Sequence, residues 1–147
     1  VHTDLNCLSV IQYAVDVLKV EHIIVCGHYS CGGVEAALRN SQFGLIDNWL
    51  RHVQDVRNKH RSLVEAAGDF QAQSARLCEL NVIEQSLNVA QTTIVRQAWE
   101  RGQQLTVNGL IYGLKDGLLQ DLQLRINSSA SLEAQYEQAL NSLNKKK

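Results

Sequence analysis

The apolar run His22-Ile23-Ile24-Val25-Cys26-Gly27 is followed at once by His28-Tyr29-Ser30-Cys31-Gly32-Gly33. β-Branched residues in a run this short, closed by a glycine, predict a buried strand. Gly27 lets the chain turn, and Gly32-Gly33 let it pass into a short helix reaching about Asn40. Strand, loop and helix in this order form the βα unit of a parallel sheet, and α/β folds place their chemistry in the loops beyond the strand ends. This loop carries an imidazole and a thiol three residues apart. Imidazole nitrogen and thiolate are donors that zinc favours, and a His-x-x-Cys turn aims both at one ion. On spacing alone the pair stands equally for half a metal site or for coincidence.

Periodicity organises the rest. Thr3 or Asp4 caps a helix whose apolar positions Leu5, Leu8, Ile11, Val15 and Leu18 recur three and four apart, ending near Lys19. Ile46, Leu50, Val53 and Val56, with charged residues between them, predict an amphipathic helix to about His60. A longer helix is expected from about Ala72 to Arg101, with a weak spot at Thr92-Thr93-Ile94-Val95 and Gly102 as its C-cap. Two strands follow, Leu105 to Leu114 and Leu118 to Ile126, joined through Asp116-Gly117, a hairpin-turn pair. A last helix runs from about Ser131 to Leu143. The chain has no repeat and no proline.

The 147 residues are 45% hydrophobic and 20% charged, enough for one domain with its own core. A net charge of −1 speaks against nucleic acid as a partner, and Lys145-Lys146-Lys147 reads as a solvated tail. No stretch reaches the roughly 20 apolar residues of a membrane span, and Val1 opens without the basic segment of a signal peptide. A cytoplasmic location with no membrane partner is therefore expected. Cys7, Cys26, Cys31 and Cys78 lack the spacing of a small disulfide scaffold and read as reduced thiols. Cys7 and Cys78 are expected in the core of helices. Cys26 is expected in the core too, as part of a strand buried on both faces.

Val1-His2-Thr3-Asp4-Leu5-Asn6-Cys7-Leu8-Ser9, then the strand and its His28-Tyr29-Ser30-Cys31-Gly32-Gly33-Val34 loop, resemble the β-class carbonic anhydrases, the bacterial ones in particular. The likeness continues through Gly44–Leu50, Glu79–Gln85, Ala98–Gln103 and Gly109–Gly113, and stops near Ile126. It implies a single carbonic anhydrase-like α/β domain over residues 1–147, with a central, mostly parallel sheet flanked by helices and a C-terminal hairpin and helix. The family also has a Cys-x-Asp-x-Arg zinc loop on an earlier strand, and no such string occurs here. The expectation is an N-terminally incomplete domain.

The resemblance makes His28 and Cys31 two zinc ligands and puts Gly32 and Gly33 on the floor of the substrate site, where a side chain would collide with carbon dioxide or bicarbonate. At position 30 the resemblance implies glycine or another small residue, and the Ser30 hydroxyl is expected to face solvent. His22, His52 and His60 are expected at element margins, and His2 is too near the start to interpret. Tyr112 matches a position that helps to hold a regulatory bicarbonate in bacterial members.

The implied reaction is zinc-dependent, reversible hydration of carbon dioxide to bicarbonate, since zinc brings the pKa of its water from about 15.7 toward 7. The family's missing aspartate would hydrogen-bond that water. With a ligand, this carboxylate and its arginine absent, activity of the chain alone is expected to be impaired or lost. A second reading makes the chain a catalytically silent, self-associating domain of the same fold. A third makes Cys31 a redox or nucleophilic thiol beside His28. Homo-oligomers, dimeric or tetrameric, are expected from the family.

Overall fold

A computed structural model describes residues 2–145. Its elements begin with α1 (Leu5–Gln12), started by Asp4, whose carboxylate accepts from the Cys7 amide at 2.7 Å. One turn of wider π-helix follows at Tyr13–Val17. That turn shifts the helical phase, so the expected single apolar stripe does not hold. Val15 is fully buried, while Leu5 and Leu18 are 80% and 60% exposed. The left-handed Lys19 then ends the segment.

Strand β1 (His22–His28) pairs in parallel with β2 (Thr106–Tyr112), from His22 opposite Thr106 to His28 opposite Tyr112. β2 turns through Asp116-Gly117 into antiparallel β3 (Leu119–Ile126), with a bulge at Gly109/Leu110. The sheet order is β1-β2-β3, which leaves β1 at an edge among the described residues.

Between β1 and β2 run α2 (Gly32–Arg39), α3 (Ile46–Lys59), the short α4 (Arg61–Glu65), α5 (Phe70–Ala90) and α6 (Thr93–Glu100). The expected single helix over 72–101 is two. Thr92 takes an extended backbone, and its hydroxyl accepts from the Val95 amide, so it caps a new helix in place of continuing the old one. Gly102, at φ +75°, closes α6 as expected. The last helix, α7 (Leu132–Lys145), packs on β3 and α5. Of the predicted lysine tail, Lys146 and Lys147 lie outside the described residues.

α5 is the helix on which the sheet rests. Leu77, Leu80, Ile83 and Val89 of α5 are buried with Val107 and Ile111 of β2 and Leu122, Leu124 and Ile126 of β3. Two strand glycines mark the crossings: a Cβ on Gly109 would lie 3.2 Å from Ser86 Oγ, and one on Gly27 only 2.5 Å from Val82 Cγ2. On β1 the residues alternate, with Ile23, Val25 and Gly27 half-buried and Ile24, Cys26 and His28 exposed. The expectation that β1 is buried on both faces is therefore wrong for this chain. No described element covers the face bearing Ile24 and Cys26, so Cys26 is no core residue. Cys78 is buried as expected, and Cys7 is only half-buried.

Candidate metal centre

His28 ends β1, where the Tyr29 amide still donates to the Tyr112 carbonyl of β2 at 3.0 Å. The chain turns at Ser30, a non-glycine residue at φ +56°. This left-handed conformation accounts for the glycine expected at that position, and Ser30 is exposed, as its solvent-facing reading required. Cys31 is the N-cap residue of α2, and the Glu35 amide donates to its carbonyl. Strand end, left-handed turn and helix start thus hold His28 and Cys31 in one short loop.

The imidazole of His28 is oriented. Its Nδ1 lies 2.9 Å from the Tyr29 carbonyl oxygen. A carbonyl only accepts, so Nδ1 carries the proton and, in the neutral ring, Nε2 keeps a free lone pair. A hydrogen bond of this kind, from the ring's other nitrogen to a carbonyl, is how proteins fix the tautomer of a metal-binding histidine.

Tyr29 is itself anchored. Its phenol donates to Glu79 Oε1 at 2.7 Å, and Arg76 Nε lies 3.2 Å from Glu79 Oε2. Arg76 and Glu79 are largely buried on α5, with side chains 13% and 9% exposed. Burial, then the bond to Glu79, pushes the Tyr29 phenol well above the usual tyrosine range, so it remains a donor. Beneath the loop sits Cys78, whose thiol burial pushes up to about 11 against a hydrogen bond from the Cys31 backbone. Cys78 therefore packs beside Cys31 as a thiol.

Gly32 is exposed, and a Cβ there meets no atom of this chain; one on Gly33 would make ordinary contact with Leu50. No internal crowding requires either glycine. Tyr112 stands opposite His28 in the ladder, half-buried. A cleft of about 320 Å³ opens beside the loop, lined by Tyr29, Ser30, Glu35, Ser74 and the Gly113–Asp116 turn. His22 is exposed at the start of β1 as expected, whereas His52 lies exposed in the middle of α3 and not at an element margin. His60 also lies at a margin, between α3 and α4, yet is buried, with Nε2 2.7 Å from Glu84 Oε1.

The sequence reading did not single out Tyr29, Glu79, Arg76 or the cluster around Glu84. A signal was present: Glu79 and Glu84 fall among the apolar residues Leu77, Cys78, Leu80, Val82 and Ile83, and acids are seldom buried unless paired.

In type, the loop's two donors suit zinc. In number they fall short of the three protein ligands of a catalytic zinc. No group of three or more His, Cys, Asp or Glu side chains able to hold a metal occurs among the described residues.

The carbonic anhydrase family model matches residues 1–119, the His28–Cys31 loop included. This chain belongs to the β-carbonic anhydrase family. A carbonic anhydrase of Emericella nidulans is 47% identical over 121 residues, covering 82% of this chain and 53% of the relative. One from Pseudomonas aeruginosa is 32% identical over 118 residues, covering 76% of this chain and 51% of the relative. Among solved structures, the Coccomyxa β-carbonic anhydrase in complex with acetazolamide superposes with a TM-score of 0.85 at 35% identity, covering 96% of this chain and 66% of that one. A structure from work on two tetrameric β-carbonic anhydrases of Sordaria macrospora gives a TM-score of 0.78 at 34% identity, covering 86% of this chain and 64% of that one. The chain spans about half the length of the curated relatives it matches, with 53%, 43% and 56% of three fungal ones covered. The neighbours bear out the expected β-carbonic anhydrase fold.

Proposed function

We propose that the protein carrying these residues catalyses the zinc-dependent, reversible hydration of carbon dioxide to bicarbonate, and that His28 and Cys31 are two of the zinc ligands. The supporting observation is the family match across residues 1–119, within which His28 lies at the end of β1 with Nδ1 engaged and Nε2 free. Similarity to proteins named carbonic anhydrases favours this reading over a silent domain.

In this reading His28 Nε2 and Cys31 Sγ hold the ion from one loop, and further ligands come from outside the described residues. Bound zinc acidifies water and so supplies hydroxide near neutral pH. The chain's own contribution is orientation. The Tyr29 carbonyl keeps the His28 proton on Nδ1, and the left-handed Ser30 turns the backbone so that Cys31 follows on the same loop. Gly32 and Gly33 leave room beside the ligands for carbon dioxide or bicarbonate. Tyr112, next to His28 in the ladder, is placed to contribute to a regulatory bicarbonate site.

Self-association belongs to the same proposal. Ile24 of β1 is 58% exposed, along with Val10, Phe43, Leu45 and Trp49, and the Sordaria neighbour comes from work on tetrameric enzymes. Four free cysteines fit a reducing compartment, and we place the protein in the cytoplasm. Stopped-flow hydration by the zinc-loaded protein tests the reading. Activity that disappears in both His28→Ala and Cys31→Ser supports it, and full activity in either variant refutes it.

A further inference from the structure

A tyrosine lies between the two proposed ligands, and three of its groups are engaged at once. Its amide donates to the Tyr112 carbonyl of β2, its carbonyl accepts from His28 Nδ1, and its phenol donates to Glu79 of α5. Glu79 in turn is held by Arg76 one turn earlier on the same helix. The sheet and α5 thus grip one residue from opposite ends, and its carbonyl engages the exposed imidazole of the residue before it, His28.

We propose that Tyr29, pinned by the Glu79–Arg76 pair, is a positioning residue for His28: the anchored phenol fixes the backbone of residue 29, whose carbonyl then holds the imidazole proton on Nδ1. The role of Nε2 as a metal ligand rests on the zinc reading above. The tautomer does not, because it follows from this chain's own hydrogen bonds.

Burying an ion pair stabilises a fold little compared with an apolar replacement, and specificity of arrangement is the better-attested return. Here the arrangement is local. The phenol–carboxylate bond spans 50 residues of sequence and meets the loop at the residue that directly follows His28. Without it, residue 29 keeps only its amide bond to β2, and the carbonyl is free to swing about the strand end. The His28 ring then loses its acceptor and divides between tautomers, one of which has a proton where the metal must bind. Outer-shell partners of metal ligands typically account for 10–100-fold in metal affinity. Tyr29 acts one step further out, so a loss near the lower limit, about 10-fold, is expected.

The test uses the whole 147-residue chain labelled with ¹⁵N, with wild type, Tyr29→Phe and Glu79→Gln compared at mildly alkaline pH. Tyr29→Phe keeps the ring and leaves Glu79 paired with Arg76, and Glu79→Gln keeps an acceptor for the phenol. Thermal unfolding of each variant checks that the fold persists. The ring-nitrogen shifts of His28 report its tautomer without metal, and a competitive zinc titration reports affinity. Wild type should show Nδ1–H alone, Tyr29→Phe a mixture, and Glu79→Gln a state between them; zinc affinity should fall in the same order. A folded Tyr29→Phe with an unchanged Nδ1–H tautomer overturns the proposal, whatever zinc does. If tautomers shift as expected but zinc affinity does not follow them, the zinc reading of His28 fails and the positioning role stands.

Discussion

Gly27 of β1 and Val82 of α5 approach so closely that a methyl group on the glycine would lie 2.5 Å from Val82 Cγ2. Val82 is buried and β-branched, with little freedom to turn away. The crossing lies one residue before His28, so it fixes how near the strand end sits to the helix that also supplies Glu79.

Gly27→Ala is therefore expected to destabilise the chain by about 1–3 kcal/mol, the usual range for overpacking a tight core. Urea denaturation measures it. Adding Val82→Ala should recover part of the loss, because it removes the atom that clashes. Strictly additive losses in the double variant would show that the crossing is not the cause.

The proposed zinc ligands allow a direct check. In any zinc-bearing form of the protein, Cys31→Ser should abolish stoichiometric zinc, since a catalytic site has no ligand to spare. Cys26→Ser and Cys78→Ser should leave it intact: Cys26 lies on the open face of β1, and Cys78 is a buried thiol. Metal content by mass spectrometry distinguishes the three variants, and full zinc in Cys31→Ser removes that residue from the site.

Glu84 links stability to pH. Burial alone would raise its pKa, but hydrogen bonds from His60, Tyr136 and Lys59 prevail and hold it at about 2. A carboxylate whose folded value lies below the ordinary 4.3 or so stabilises the fold above that ordinary value and loses the effect as pH falls toward the folded one. Wild type should exceed Glu84→Gln in stability by at most about 3 kcal/mol near neutrality. That margin should shrink between about pH 5 and pH 2. Equilibrium unfolding of both across this range decides it, and a margin independent of pH would rule the linkage out.

What the sequence made legible follows from where its signals are local. The β1 loop and α2 were readable because a β-branched run, glycines and helical spacing occur within twenty residues, and Asp116-Gly117 marked the hairpin from two. Cys26 was misplaced because an apolar strand reads alike whether both faces are covered or one lies open; here neighbours decide, and the sequence of the strand does not contain them. The π-turn at Tyr13–Val17 shifts a helix by one residue, which a pattern of threes and fours absorbs unnoticed. His28 and Cys31 stood out by their spacing, but it was the family resemblance that made them ligand candidates. The Tyr29–Glu79 bond was not, since its partners lie 50 residues apart and meet only when α5 packs on β1.

Association is expected to follow from the open face of β1. An exposed strand edge with unpaired backbone groups and apolar side chains favours pairing with another chain. Light scattering at micromolar concentration should find a dimer or a larger species. Ile24→Lys should shift the population toward smaller species, because it places a charge on that face. A clean monomer in the unsubstituted chain would count against the expectation.

The 147-residue chain taken alone should hydrate carbon dioxide poorly or not at all, even with zinc supplied. Its described residues contain no group of three potential ligands, so an ion on His28 and Cys31 would lack the third protein donor that catalytic zinc sites use. They also contain no Cys-x-Asp-x-Arg string, which in this family supplies that donor with the carboxylate for the zinc-bound water. Removing one outer-shell partner usually costs 10–100-fold, and loss of a direct ligand should cost more. Stopped-flow hydration with added zinc should therefore lie close to the uncatalysed rate. Co-expression with a segment bearing a Cys-x-Asp-x-Arg loop should raise it. Activity near that of an intact β-class enzyme without such a segment would mean that the remaining ligands lie within these residues or on a second copy of the chain, and would overturn this expectation.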